Sequence, residues 1–401
     1  MTTHPAADVL SSDDAGDMLA TAVATSHQHL DSWRLDAVHA RPGAETSACY
    51  DTVIDGERVY LVASTVDLTD EQRAETKAVK LESHVGVVHV WRHPADPFLT
   101  GLADASVPEA LQARLARAGA DRPRVEKLEM LVLRPLRRAV LRADVTEGER
   151  RDTWFVKVVR PDRAGDLLHR HRLSALAPRA LDAGDGIVLV AQAAGWAMTE
   201  ALHRTDGTPP AVVEPAVLIA ALDTLPPAVT ELPLRPSVPE RLSMYVDLAR
   251  DRGLDAAALD HLVRVIGPGL ASPPEAPLVP THGDFHAANV RVSDRHHPDR
   301  VVGLIDIDTL GPGRRADDLA CMVAHVMVLP TLDASGYAGN EEQPSRLFAG
   351  FAHTVDPEDL RRRVAANLVA LASGVDDEDH AAQWLAMAVD VADEKTLISF
   401  S

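Results

Sequence analysis

The residues THGDFHAANVRV, 281–292, crowd two histidines, an aspartate and an asparagine into one short turn between apolar runs. Asp284 and Asn289 stand five residues apart on it. Further on, Val301, Val302, Leu304 and Ile305 form an apolar run that ends on Asp306, with Asp308 just beyond. Carboxylate and amide oxygens converging beside a strand end suit Mg²⁺, a hard cation that takes oxygen ligands and keeps water. Upstream, Lys157 is the single lysine in the apolar strand WFVKVV. A charge on such a strand is costly unless it meets an anion, and a nucleotide phosphate is one such anion. These are the parts phosphoryl transfer needs: a carboxylate to orient a hydroxyl, groups to hold metal, and a lysine on the phosphates.

Something must position them. LVPTHGDFHAANVRV and RVVGLIDIDT flank the polar turn SDRHHPD, which predicts a hairpin that gathers Asp284, Asn289 and Asp306. The C-terminal half around it reads as helical, over 239–253, 255–267, 316–329, 357–373 and 380–396, with the acidic run 376–379 as a solvated loop. Trp196 and Trp384 read as packing residues, and His169 and His171 as a solvated helix face. Lys157 falls in a hairpin over 134–159, followed by a short helix within 163–178 and a buried strand from 187. A similar hairpin covers 47–64, with a further strand at 85–93 and a helix at 108–120; residues 6–30 read as an exposed helix or partly disordered lead-in. RPG (41–43) and RPL (134–136) open the two hairpins, IDGER (54–58) and TEGER (146–150) turn them, and Lys157 then falls opposite Ala63. Either a β-unit is repeated with chemistry in one copy, or two polar turns are merely alike.

The spacing from Asp284 to Asn289 equals that of the protein-kinase catalytic loop, H-R-D-x-x-x-x-N. On HGDFHAAN (282–289), LIDIDT (304–309) and DDLA (317–320), with FVKV (155–158) ahead of them, the chain resembles the aminoglycoside phosphotransferase and choline kinase-like superfamily of small-molecule kinases. The resemblance covers about 125–400 and implies an α+β, protein-kinase-like bilobal fold. Residues 125–202 would form the β-rich small lobe and 203–401 the helical large lobe with the catalytic hairpin. Residues 1–124 would be a lead-in and an additional β-rich cap, similar in placement to the cap of bacterial maltokinases. By the same resemblance Asp284 would be the catalytic carboxylate, Asn289 and Asp306 the metal ligands, and Lys157 the nucleotide contact. Asp308 would be a second acid near metal or substrate, and His282 and Asp318 would brace the loop from beneath. His286 matches a common family residue with no role to carry over. The implied cofactors are ATP and Mg²⁺, and the implied acceptor is a hydroxyl of a small molecule: an amino sugar, aminoglycoside, sugar or amino alcohol.

The chain departs from the pattern in two places. The helix after Lys157 has no glutamate for the usual ion pair, although Asp166, His169 and Arg170 stand there. No glycine-rich loop precedes Lys157, where RPLRRAVL offers Arg134, Arg137 and Arg138 instead. The missing glutamate keeps open a catalytically weak or inactive kinase-like binding protein. GDFH also resembles the G-D-x-H motif of metal-dependent phosphoesterases, with His282 and His286 on zinc or manganese, but no paired motif surrounds His296, His297 or His325.

Composition narrows the partners. The 401 residues carry 46% apolar and 25% charged side chains, the balance of a folded soluble protein with two or three domains. A formal net charge of −20 argues against binding nucleic acid through its phosphates; it favours solubility and, secondarily, a cationic acceptor. Cys49 and Cys321 lie far apart without metal-ligand spacing, as expected in a reducing cytoplasm. No basic segment leads an apolar one at the N-terminus, and LACMVAHVMVL (319–329) is too short to span a bilayer, so neither secretion nor a membrane is expected.

Overall fold

The computed structural model describes residues 5–40, 45–83, 85–204 and 207–396, so the RPG of 41–43 lies outside the described residues. The chain divides into two compact units, 1–168 with 179–192, and 169–178 with 193–401.

The first unit is one arrangement used twice. Helices α1 (Pro5–Ser11) and α2 (Asp14–Ala24) precede strands β1 (Leu30–His39), β2 (Ser47–Ile54) and β3 (Glu57–Ser64); α3 (Asp70–Thr76), β4 (Val79–Ser83) and β5 (Gly86–Arg92) follow. Then α4 (Leu102–Ala105) and α5 (Pro108–Arg117) precede β6 (Arg124–Arg134), β7 (Arg138–Glu147) and β8 (Arg150–Val159). Helix α6 (Pro161–Leu173), β9 (Ala180–Asp182) and β10 (Ile187–Ala191) close the second copy. Both sheets have five strands, ordered β1-β2-β3-β5-β4 and β6-β7-β8-β10-β9. The ladders correspond residue by residue. Leu35 faces Tyr50 as Leu128 faces Ala143, and Ile54 faces Glu57 as Glu147 faces Arg150. Each first strand pair also carries two register shifts.

This ladder supports the repeat and corrects its alignment. Ser64 faces Ser47 and His89, while Lys157 faces Val140 and Val188, so Lys157 stands at the place of Ser64 rather than Ala63. The difference matters because strand side chains alternate, and a one-residue slip exchanges the faces. Ala63 belongs to the core that α1 and α2 form through Leu10, Ala15, Leu19 and Val23; residues 6–30 are therefore packed helices and no exposed lead-in. Their apolar positions recur at helical spacing, and Tyr50 Oη donates to the Leu10 carbonyl at 2.6 Å. In the second copy, Leu102, Leu111 and Leu115 of α4 and α5 cover Leu141, Trp154 and Val156.

The second unit is mainly helical. A sheet of β11 (Trp196–Ala197), β13 (Val290–Val292) and β14 (Val301–Leu304) and a pair of β12 (Val279–Thr281) with β15 (Gly311–Gly313) hold the 281–313 region. Helices α7 (Met198–Ala201), α8 (Pro215–Asp223), α9 (Leu242–Asp251) and α10 (Ala256–Ala271) come before it in sequence, with β12 after them. Helices α11 (Arg315–Leu332), α12 (Gln343–Phe351), α13 (Pro357–Gly374) and α14 (Glu378–Ala392) come after. Helix α11 is apolar on most of its surface and runs through the core with α13. The acidic run 376–379 is exposed, as expected, and straddles the start of α14: Asp376 and Asp377 precede the helix, Glu378 and Asp379 open it, and the Asp377 side chain accepts from His380 N–H at 2.8 Å. Carboxylates there satisfy open N–H groups and meet the positive end of the helix dipole. Trp384 is buried as expected, but Trp196 is exposed, with Arg295 over its ring, and His171 is buried with Nδ1 2.9 Å from the Pro178 carbonyl. No helix among the described residues is long and apolar enough to cross a membrane.

Candidate active site

Residues 282–289 form a loop between β12 and β13 that is tied down from two sides. From α11, the Asp318 carboxylate accepts from His282 N–H at 2.7 Å and Gly283 N–H at 2.8 Å. Burial nonetheless pushes the Asp318 carboxyl up to about 7, against the pull of these two donors. Gly283 has φ +81, and a Cβ there would meet the Thr309 carbonyl at 2.7 Å, so the tight approach needs glycine. The His282 ring is fully buried. Its Nε2 donates to the Ile305 carbonyl at 3.0 Å and its Nδ1 accepts from Asp284 N–H at 3.3 Å. Burial holds this ring below its ordinary pKa, as a neutral tautomer with both nitrogens engaged. The histidine-led metal reading needs one of those nitrogens.

From the other side, Ile305 N–H donates to the Asn289 carbonyl at 2.9 Å as β13 pairs with β14. The predicted hairpin is present, and it brings the Asp284–Asn289 loop beside the strand end that leads into Asp306. Asp306 itself is partly buried at φ +53, a left-handed conformation that aspartate tolerates better than most residues. Asp308 follows, and its carbonyl accepts from Arg235 Nη1 at 2.8 Å.

At the loop's centre the Asp284 side chain is 41% exposed, open enough for a ligand to reach. Burial of its remainder pushes the carboxyl up, but the neighbouring His286 ring outweighs this and holds it below the ordinary aspartate range. Asn289 Nδ2 donates to the Asp284 carbonyl at 3.0 Å and lies 3.0 Å from His286 Nε2, with Asp284 Oδ2 3.4 Å away. A backbone carbonyl can only accept, so the bond to Asp284 fixes the amide's orientation and leaves Oδ1 on the other side. His286 in turn stacks on His325 of α11, the ring centroids 4.4 Å apart. His325 Nδ1 donates to the Cys321 carbonyl at 2.9 Å, and burial lowers its pKa to about 4, so this ring is neutral near pH 7.

Sequence reasoning assigned no supporting role to His325, although a signal was present: Asp318 and His325 lie seven apart, on one face of a helix. It also missed Arg363, which lies buried on α13 between Asp317 and Asp359, its Nε 2.8 Å from Asp359 Oδ2, and holds α11 where Asp318 needs to be. Nothing local in RRRVAAN distinguishes that arginine from its neighbours.

Lys157 belongs to the first unit, and His282, Asp284, Asn289, Asp306, Asp308 and Asp318 to the second. Within the first unit Lys157 shares a sheet face with Phe155, Val159, Val188 and Val190, which pack against Ala164, Leu167 and Leu168 of α6. Asp166 is an exposed residue of that helix. The β6–β7 turn nearby is firmly held. Asp96 accepts at Oδ2 from Leu136 N–H (2.8 Å) and at Oδ1 from Phe98 and Leu99 N–H (2.9 and 3.0 Å), and Arg160 Nε donates to the Leu136 carbonyl at 2.8 Å.

The donor set of the second unit fits Mg²⁺: an outward amide oxygen from Asn289 and a carboxylate from Asp306, hard oxygens without thiolate or free imidazole.

The model of the phosphotransferase enzyme family matches residues 137–355. No curated protein matches. Among solved structures, the GDP complex of aminoglycoside 2'-phosphotransferase-IIIa is 15% identical, with 72% of this chain and 99% of that chain covered at a TM-score of 0.44. A thermostable mutant of aminoglycoside phosphotransferase APH(4)-Ia, in ternary complex with AMP-PNP and hygromycin B, is 17% identical, with 73% and 99% covered at a TM-score of 0.45. The ethanolamine kinase of Plasmodium vivax is 12% identical, with 67% and 84% covered at a TM-score of 0.42. With more than half of its length matched by the family model, the chain belongs to the phosphotransferase enzyme family, and its fold mixes helices and sheets.

Proposed function

We propose that the chain transfers the γ-phosphate of ATP, with Mg²⁺, to a hydroxyl of a small molecule. The observation that carries the reading is the loop 282–289: one accessible carboxylate kept ionised, and beside it an amide whose oxygen is turned outward. Asp284 orients the acceptor hydroxyl. As the oxygen bonds to the γ-phosphorus and the bond to the β-phosphate oxygen breaks, the hydroxyl proton passes late to Asp284, since the transition state is loose and asks for positioning more than for a strong base. Asn289 and Asp306 would hold Mg²⁺, with Asp308 as a second acid nearby. The ion, when bound, supplies charge neutralisation on the phosphates. Lys157 contacts the nucleotide's phosphates, and His282 and Asp318 brace the loop. We keep the division into a cap (1–124), a small lobe (125–202) and a large lobe (203–401) as part of this reading.

The acceptor class is an amino sugar, aminoglycoside, sugar or amino alcohol, and the net charge of −20 favours a cationic one. The test is Asp284→Asn, assayed for ATP consumption against aminoglycosides, amino sugars, maltose, choline and homoserine. Turnover should fall by at least about 10²-fold with ATP binding and unfolding unchanged. Equal turnover in the variant would sink the assignment. Mg-ATP stabilisation of the wild type without turnover on any acceptor would favour the inactive binding protein instead.

A further inference from the structure

We propose that Arg138 is a phosphate-binding residue of the nucleotide site, doing with a guanidinium what backbone N–H groups do in a glycine-rich loop. The inference rests on the nucleotide reading above and adds a residue to it. Arg138 opens β7, facing Arg134 across the β6–β7 turn and Val159 on β8. Two residues on, Val140 faces Lys157. Side chains alternate along a strand, and Ala139, Leu141 and Ala143 occupy the opposite face, inside the α4–α5 core. Arg138 and Lys157 therefore share one face, one strand and two residues apart, which is roughly 8 Å between Cα atoms from strand spacing and rise.

What distinguishes Arg138 is its Nε. It is partly buried, and its Nε is buried with no hydrogen bond among the described residues. The arginines around it are engaged: Arg137 with Glu45 at 3.1 Å, Arg142 with Asp144 at 3.3 Å, Arg160 with the Leu136 carbonyl at 2.8 Å. An Nε–H withdrawn from water without an acceptor is unfavourable, so the position favours an anion that can take it. A phosphate fits, because the planar fork offers two parallel N–H donors to two of its oxygens. The turn that delivers the residue is rigid, with Leu136 fully buried and bonded at both N–H and carbonyl. A glycine-rich loop closes on phosphates by flexibility; here a fixed turn presents a fixed cation, so binding orders less chain.

The test is calorimetric titration of the full chain with ATP, ADP and adenosine, for wild type, Arg138→Met and Arg138→Lys. Methionine keeps the aliphatic stem and removes the charge, whereas lysine keeps the charge and removes the fork. Arg138→Met should weaken ATP and ADP by about 10- to 100-fold, the range for a lost charge-assisted hydrogen bond, and leave adenosine unchanged. Arg138→Lys should fall between. Unchanged ATP affinity in Arg138→Met overturns the proposal, and so does an equal loss for ATP and adenosine, which would mark a structural role. Wild type that binds none of the three overturns the nucleotide reading itself.

Discussion

Across the middle of the first five-stranded sheet runs the row Ser47, Ser64, His89; across the same place in the second runs Val140, Lys157, Val188. The backbones of the two rows correspond, and what lies over them does not. Ser47, Ser64 and His89 lie on the face where Leu136, Phe98 and Ala95 pack on Cys49, Tyr60, Val62 and Trp91. Under that cover the polar groups meet nearby partners, apart from His89 Nε2. Ser47 Oγ donates to Ser64 Oγ at 2.9 Å, and His89 Nδ1 lies 2.9 Å from the Val66 carbonyl. Within the same unit, the matching face of the second sheet packs against α6. There a long cation stands between valines. The ladder thus fixes which residues form a row, and the cover decides what surrounds it.

Exchanging the central residues should break this contrast with the largest effect. Ser64→Lys places an ammonium among Ser47, His89 and the packed aromatic cover, and should cost at least about 3 kcal/mol of stability in urea unfolding. Lys157→Ser, the reciprocal change, should unfold like the wild type and lose affinity for ATP. A Ser64→Lys variant as stable as the wild type would mean that the first face is not closed, and the contrast would fail.

The sequence showed one half of this contrast better than the other. The site in the second unit was legible because its chemistry is local: Asp284, Asn289 and the strand leading to Asp306 lie within one hairpin, so spacing alone gathers them. Lys157 was legible as a charge on an apolar strand. The repeat was visible in its turns, but turn letters do not fix register, and the one-residue error moved Lys157 onto the wrong face. The cover was not legible at all. Asp96, Phe98 and Leu136 meet through contacts between residues distant in sequence, and neither RHPADPF nor RPLRR carries a pattern that announces the other. Helices α1 and α2 went unrecognised as packed because their apolar positions are mostly alanine and valine among many aspartates.

The seal itself can be loosened at Asp96, with a smaller effect. This buried carboxylate accepts from three backbone N–H groups, and burial pushes its pKa up against their pull. In Asp96→Asn, whichever way the amide turns, its NH₂ faces at least one N–H donor, leaving a buried donor unmet. The expected cost is about 1–3 kcal/mol, with faster amide exchange at Leu136 than elsewhere on β7. Loss of stability with Leu136 exchange unchanged would place the strain at Phe98 and Leu99 alone, and would detach the seal from the β6–β7 turn.

The smallest expected effect separates the ends of the two rows, His89 and Val188. Burial lowers the His89 pKa; the bond to the Val66 carbonyl opposes this, and Arg73 and Lys80 reinforce it. Because the folded value lies below the unfolded one, an unfolded chain takes up this proton first as pH falls. Stability attached to His89 is therefore complete above about pH 6.5 and declines below it, down through the folded pKa. His89→Val installs the residue that the second row carries and removes that dependence. Urea midpoints of wild type and variant should diverge in the variant's favour between pH 7.5 and 5.5. The variant gives up the Nδ1 bond to the Val66 carbonyl but also removes a buried Nε2 that has no partner among the described residues, so the pH profile rather than the midpoint at pH 7.5 carries the comparison. Parallel pH profiles would show that His89 binds its proton equally well in both states, as it would if water reached the first row, and the two faces would then differ in residues alone, with no difference in cover.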